Sequence, residues 1–230
     1  MKLNKGTKAV IYALLILVAV YFLFPFVYMF FSAFKTEAEI NAIPPSLFPK
    51  KFLWSNFVNA WQSQEFGTFL KNSILVTIGT TVGQLLSCSL VAYGFARYEF
   101  KGKNVLFMIL LSTMMIPWDV TMIPQYMEFK LFGWINTLKP LIVPSWFGSA
   151  YYIFLMRQFL MGVPKDYEEA ARIDGANAFQ IYSRIFMPIL RPQLILVAVL
   201  NLLTVWNDYL GPLIFLQDRS KFTLALGLAS

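Results

Sequence analysis

The sequence predicts an all-α integral membrane protein, a polytopic helix bundle, on three observations. Of its 230 residues, 58% are hydrophobic and only 13% are charged, about half the charged share of an ordinary soluble domain. Residues 9–34 and 72–96 hold no Asp, Glu, Lys or Arg, and about 20 apolar residues are enough for a helix to cross the hydrocarbon core. Lys and Arg gather at the ends of such runs, where they snorkel to the interface and orient the helix. The formal charge of +7 comes with no basic cluster, so no nucleic acid is expected and membrane lipid is the expected surround.

Side-chain inventory narrows the chemistry. There is no His and a single Cys, Cys88, in the middle of an apolar run. His or Cys metal sites, Cys–His nucleophiles and disulfide frameworks are therefore excluded, and Cys88 reads as a small packing residue. No catalytic residue, metal site or cofactor is expected.

The N-terminus is basic, then apolar, as in a signal peptide, but the apolar run is too long for an h-region and lacks a small-residue cleavage site. It reads as a retained first span, about 9–34, kinked at Pro25. Lys2, Lys5 and Lys8 precede it and place the N-terminus in the cytoplasm by the positive-inside rule. Residues 35–71 form an outer segment of turns and aromatics (Pro44, Pro45, Pro49, Trp54, Trp61), read as an interfacial loop rather than a ligand site. Residues 1–70 thus make an N-terminal span plus an extracytoplasmic interfacial segment, and 71–230 the core.

The second span, about 72–96, carries Gly79 and Gly83 as a GxxxG, and small residues let helix backbones approach closely. Packing within the chain is the favoured reading. It ends in the basic turn Arg97, Lys101, Lys103. The third span begins near Asn104 and is interrupted by Pro117, Asp119 and Pro124. An acid at membrane depth is a functional candidate, although Asp119 near the outer interface can also be simply hydrated. The fourth span, about 140–160, ends near Arg157. A fifth, about 192–216, opens on Pro192, a favourable first helical position, and is broken at Gly211 and Pro212. In that span Trp206, Asn207 and Asp208 stand side by side.

Between spans four and five lies one polar stretch, Pro164–Pro188, within a cytoplasmic loop at 161–191. Pro164 suits a first helical position, and Asp166, Glu168 and Glu169 complement the positive end of the helix dipole. Ala170 and Ala171 offer a smooth face, and Gly175 ends the helix by turning left-handed. Asn177 with Gln180 reads as a capping box. Phe179, Tyr182 and Phe186 form an apolar stripe that Pro188 stops. From the residues alone, this is a helix–turn–helix on the membrane surface.

The spacing of Glu169, Ala170, Ala171, Gly175, Ile185 and Pro188 resembles the EAA loop in the membrane (permease) subunits of bacterial ABC importers, with Met187 where Leu is usual. RIDGA (Arg172 to Ala176), MMIP (Met114 to Pro117) and WNDYLGPLIF (Trp206 to Phe215) extend the likeness to carbohydrate permeases of the maltose type, over essentially the whole chain. The resemblance implies a type I ABC importer permease bundle with a sixth span beyond Ser230, so that five spans are expected here. It implies that 71–230 is a C-terminally truncated transmembrane type-1 core, and that those six residues couple to a cytoplasmic ATPase, with Glu169 meeting basic groups there. It further implies a second homologous permease subunit, two ATPase subunits, an extracytoplasmic solute-binding protein, a sugar substrate and a multi-pass place in the bacterial plasma membrane. Asn201, Trp206, Asn207 and Asp208 could recognise that sugar by stacking and hydrogen bonds, or could serve packing and interfacial anchoring, and with Asp119 they are the candidate translocation-pathway residues. The chain has no G-x-x-x-x-G-K-[ST] phosphate loop, so ATP is expected on the partner. The alternative, an ion-coupled secondary transporter, calls for internal repeats and midplane charges, and the sequence shows neither.

Overall fold

The computed structural model describes residues 4–63 and 65–230, and Lys2 of the N-terminal basic set lies outside them. No strand occurs among the described residues. The chain divides into two compact units, 1–64 and 65–230.

In the first unit, α1 (Lys5–Ser32) runs through Pro25 as one helix, with a mean hydropathy of 2.7 in its most apolar window. The following segment is more ordered than a bare loop. Phe34 is buried within 5.4 Å of the Phe30, Phe52, Trp54 and Phe57 ring centroids. The Asn56 amide donates to the carbonyls of Ala33 and Lys35, at 3.0 and 2.9 Å. The short α2 (Glu37–Ile40) carries a full capping box between Thr36 and Glu39, and α3 (Ser55–Ser63) closes the unit. Aromatic packing and side-chain caps thus order a segment too short to build a core of its own.

The second unit is built round α4 (Phe66–Arg97), longer at both ends than the expected 72–96. After α4 come α5 (Lys103–Ser112) and α6 (Trp118–Leu131), bent by 97° at the break that precedes Trp118. Pro117, which has no N–H and is not helical, explains the break. Two helices, α1 and α4, are each long and apolar enough to cross a membrane. Counting each bent pair as one crossing brings the number to four. The expected fourth crossing, 140–160, is assembled from three pieces: α7 (Lys139–Ile142), a 3₁₀ turn Val143–Phe147, and α8 (Ala150–Met161). Pro144 and the left-handed Gly148, φ +85°, forbid a continuous helix there.

Helices α7, α8 and α12 (Arg191–Trp206), the 143–147 turn, and α14 (Leu224–Ala229) all pack on α4. A Cβ on Gly79 would lie 3.0 Å from Ile142, and one on Gly83 only 2.6 Å from the Trp146 ring. The GxxxG therefore serves packing within the chain. Gly83→Val is expected to cost roughly 1–3 kcal/mol by overpacking, seen as a lower melting temperature in detergent. Gly94→Ala, with nothing within 4 Å of the added carbon, is the control that holds its stability. Equal behaviour of the two variants would refute the close contact.

The fifth expected crossing, 192–216, stops at Trp206 and resumes as α13 (Leu210–Phe215). The break falls at Asn207–Tyr209, not at Gly211 and Pro212. Pro212 sits in the first turn of α13, where a missing N–H removes no helical bond.

Candidate functional site

The polar loop folds as a short helix, a turn and a second helical run, packed at the C-terminal ends of α4 and α8 and the N-terminal end of α12. Its first helix, α9, spans Asp166–Ile173 and opens after Lys165, so Pro164 precedes the helix rather than starting it. Gly175, at φ +82°, closes it. The Gly175 N–H reaches the Arg172 carbonyl at 3.1 Å, and the Ala176 N–H reaches the Ala171 carbonyl at 2.9 Å, the paired bonds of a Schellman motif. The capping box follows: Gln180 N–H donates to Asn177 Oδ1 at 2.9 Å, and Asn177 N–H to Gln180 Oε1 at 2.8 Å. After α10 (Ala178–Gln180), residues Ile181–Phe186 form a π-helical turn that leads into α11 (Met187–Ile189). Pro188 does not stop the run. It lies in the first turn of α11, and the 72° bend comes beyond Ile189.

Helical spacing divides the loop into an inward and an outward face. Ala171, Ile181, Tyr182 and Phe186 are buried in one apolar core with Ala92, Tyr93, Met156, Leu160 and Val197. Tyr182 Oη and Ser89 Oγ are hydrogen-bonded at 2.8 Å inside that core. Glu169, Ala170, Gly175 and Pro188 are exposed, and Ile185 is half-buried. Ala170 and Ala171 therefore do not share a face, because consecutive residues of an α-helix diverge by about 100°. Ile173 and Phe179 are 86% and 72% exposed. The expected stripe loses Phe179, which sits in the first turn after the cap at the tip of the loop.

Two residues that the sequence places only in a basic turn and in a dipole-complementing first turn, Arg97 and Glu168, hold the loop. Arg97, the last residue of α4, donates from Nε to Glu168 Oε2 at 3.2 Å. It also donates from Nη1 to the Val163 carbonyl at 2.9 Å and from Nη2 to the Pro164 carbonyl at 3.2 Å. Its guanidinium carbon stands 4.7 Å from the Phe186 ring centroid. The two side chains are only 3% and 9% exposed. The other Glu168 oxygen accepts from Arg172 at 2.6 Å. Glu168 and Ala171 lie three residues apart, on the same face of a helix, but spacing alone does not say that this face is the buried one.

At the other end of the bundle, the broken helices line a cavity of about 620 Å³, with Trp118 and Gln125 from α6 and Asn207, Asp208 and Tyr209 from the break after α12 on its wall. Asp208 Oδ1 accepts the Gly211 N–H at 3.1 Å. A Cβ at Gly211 would meet Asp208 Oδ2 at 2.5 Å, so glycine permits this approach. Of the five pathway candidates, only Asn207 and Asp208 come together here. Trp206 is half-buried and Asp119 exposed, both off the cavity wall. Asn201 is buried and donates to Thr80 Oγ1 and Thr81 Oγ1, at 3.2 and 2.9 Å, so its amide ties α12 to α4. Trp118, Gln125 and Tyr209 are cavity residues that the sequence reading did not single out. Among the described residues, no three His, Cys, Asp or Glu side chains group as metal ligands.

Comparison with known proteins follows the same lines. The sequence family described as "Binding-protein-dependent transport system inner membrane component" matches residues 79–227. The diacetylchitobiose uptake system permease protein NgcG of Streptomyces coelicolor is 31% identical over 99% of this chain and 75% of its own length. The arabinooligosaccharides transport system permease protein AraQ of Halalkalibacterium halodurans is 32% identical over 90% of this chain and 75% of its length. The sn-glycerol-3-phosphate transport system permease protein UgpE of Yersinia enterocolitica is 30% identical over 99% and 83%. A chain in the crystal structure of a bacterial ABC transporter involved in the import of the acidic polysaccharide alginate superposes with a TM-score of 0.87. That match covers 99% of this chain and 81% of the other, at 24% identity, and is a likeness of fold.

Proposed function

The chain belongs to the family of inner membrane components of binding-protein-dependent transport systems, and on that premise we propose that it forms half of the translocation pathway of an ATP-driven sugar importer. It is the permease subunit of a carbohydrate ABC importer, a membrane component that works with an ATPase and a binding protein. The finer assignment is ours. One copy pairs with a second homologous permease, two ATPase subunits dock from the cytoplasm, and the N-terminus lies on that same side. ATP is bound and hydrolysed by the partners, and this chain supplies the loop that receives their motion.

The observation that carries the coupling assignment is the outward face of the loop. Glu169, Ala170 and Gly175 stand exposed on a helix–turn–helix whose other face is buried in the bundle. Such an element presents a surface to a partner while being held rigidly from behind. Ala171 and Ile185 then serve to seat it, and Pro188 adds to the exposed surface.

The cavity supports a substrate class. Trp118 and Tyr209 offer aromatic faces, and Gln125, Asn207 and Asp208 offer planar polar groups. The wall contains an acid and no Lys or Arg, which favours an uncharged oligosaccharide over a phosphorylated or otherwise anionic solute.

The full complex in proteoliposomes tests this reading. Uptake of a neutral oligosaccharide from its binding protein should require ATP inside and survive collapse of the proton gradient. Uptake that runs without ATP and fails with the gradient would instead indicate ion coupling. Trp118→Ala is expected to reduce uptake about two- to tenfold, the weight of one aromatic contact of ~0.5–1.5 kcal/mol. Unchanged uptake in that variant would remove the cavity from the pathway.

A further inference from the structure

We propose that the buried Arg97–Glu168 pair is the joint through which movement of α9 reaches the membrane helices, which makes Arg97 a positioning residue for coupling hydrolysis to transport. The inference rests on 161–191 being the ATPase-coupling loop.

Arg97 terminates α4, the helix on which α7, α8, α12 and α14 all pack. Displacing its end therefore displaces the centre of the bundle. Its guanidinium engages four segments at once: the end of α8 at Leu160, the linker at Val163 and Pro164, α9 at Glu168, and the π-helical turn at Phe186. A planar guanidinium holds such a set of directions rigidly, which a flexible ammonium does not. Among the described residues, the Arg97–Glu168 bond is the one side-chain hydrogen bond from α9 to a membrane helix. Ala171, whose side chain is a single methyl group, supplies apolar contact but no direction.

The two adjacent glutamates thus divide the work. Glu169 faces outward to a partner, and Glu168 faces inward to α4, a separation that the ~100° helical step provides. A buried ion pair is weak evidence of added stability, since apolar packing often replaces it at no cost. Its directional geometry is what packing alone could not supply.

The test uses the complete importer in proteoliposomes, reading ATP hydrolysis and sugar transport together. Arg97→Lys keeps the charge, and Glu168→Gln keeps the shape. Each should retain hydrolysis while sugar transported per ATP falls about tenfold, within the range by which single residues alter coupling between sites. The double variant should be no worse than either single one, as for two partners in one interaction. The proposal is overturned if hydrolysis and transport fall in proportion, if the single effects multiply in the double variant, or if neither variant inserts, since the pair would then serve folding. A normal transport-to-hydrolysis ratio in Arg97→Lys also overturns it. Glu169→Lys separates the two levels of inference. If it leaves the ATPase bound and coupled, the loop assignment fails. If it detaches the ATPase while the Arg97 and Glu168 variants keep a normal ratio, only the joint fails.

Discussion

Glu169→Lys is expected to reduce uptake to background while the subunit still inserts and packs. The carboxylate is exposed in the first turn of α9, and no hydrogen bond or ion pair holds its side chain among the described residues. Reversing its charge removes the favourable interaction with the helix dipole, roughly 0.3–1 kcal/mol at an exposed site. That is too little to unfold a bundle whose core lies on the opposite face of the loop. The loss must then come from docking, where a cation would oppose the basic groups expected on the ATPase. Membrane fractionation, capture of the ATPase by the tagged permease, and uptake should be measured on the same cells. Normal insertion with lost capture and lost uptake is the expected pattern. A parallel fall in insertion would instead make Glu169 a folding residue.

Gly175→Val is expected to be nearly as severe, and for a different reason. A Cβ at this position meets nothing within 4 Å, so steric exclusion inside the subunit is not the obstacle. The backbone is at φ +82°, where an L-residue costs about 1–2 kcal/mol and a β-branched one more. Relief of that strain would undo the Schellman bonds of Arg172 and Ala171 and turn the outward face of α9 away from its docking angle. Gly175→Asn, which tolerates the left-handed region, should keep most of the uptake. The comparison is diagnostic, because equal loss in both variants would locate the requirement in the partner's surface and not in the turn.

Much of this was legible in the chain. Charge-free runs mark α1 and α4, and the left-handed turn at Gly175 and the Asn177–Gln180 capping box follow from local residue chemistry. The spacing of Glu169, Ala170, Ala171, Gly175, Ile185 and Pro188 points to the family that the comparisons show. Less legible were the breaks. The sequence marks Pro212 as a breaker, but position within a turn decides whether a missing N–H matters, and the helix parts at Asn207 instead. The sequence leaves Asn201 open between pathway and packing roles, and its two hydrogen bonds to Thr80 and Thr81 show the packing one. Spacing puts Phe179 on the buried stripe, yet it is 72% exposed, with its ring 6.4 Å from that of Tyr182.

What the sequence determined by itself is the set of properties that act within a few residues or along one helix: hydropathy, caps, the left-handed turn and the spacing of the loop. Which face of α9 looks inward, which polar groups satisfy one another and which line a cavity depended on segments far apart in the chain. Arg97 and Glu168 are separated by seventy-one positions, and neither is distinguishable from an ordinary interfacial charge until α4 and α9 meet. Only the packed bundle removes water from that pair, and desolvation strengthens the interaction and makes losing either partner costly.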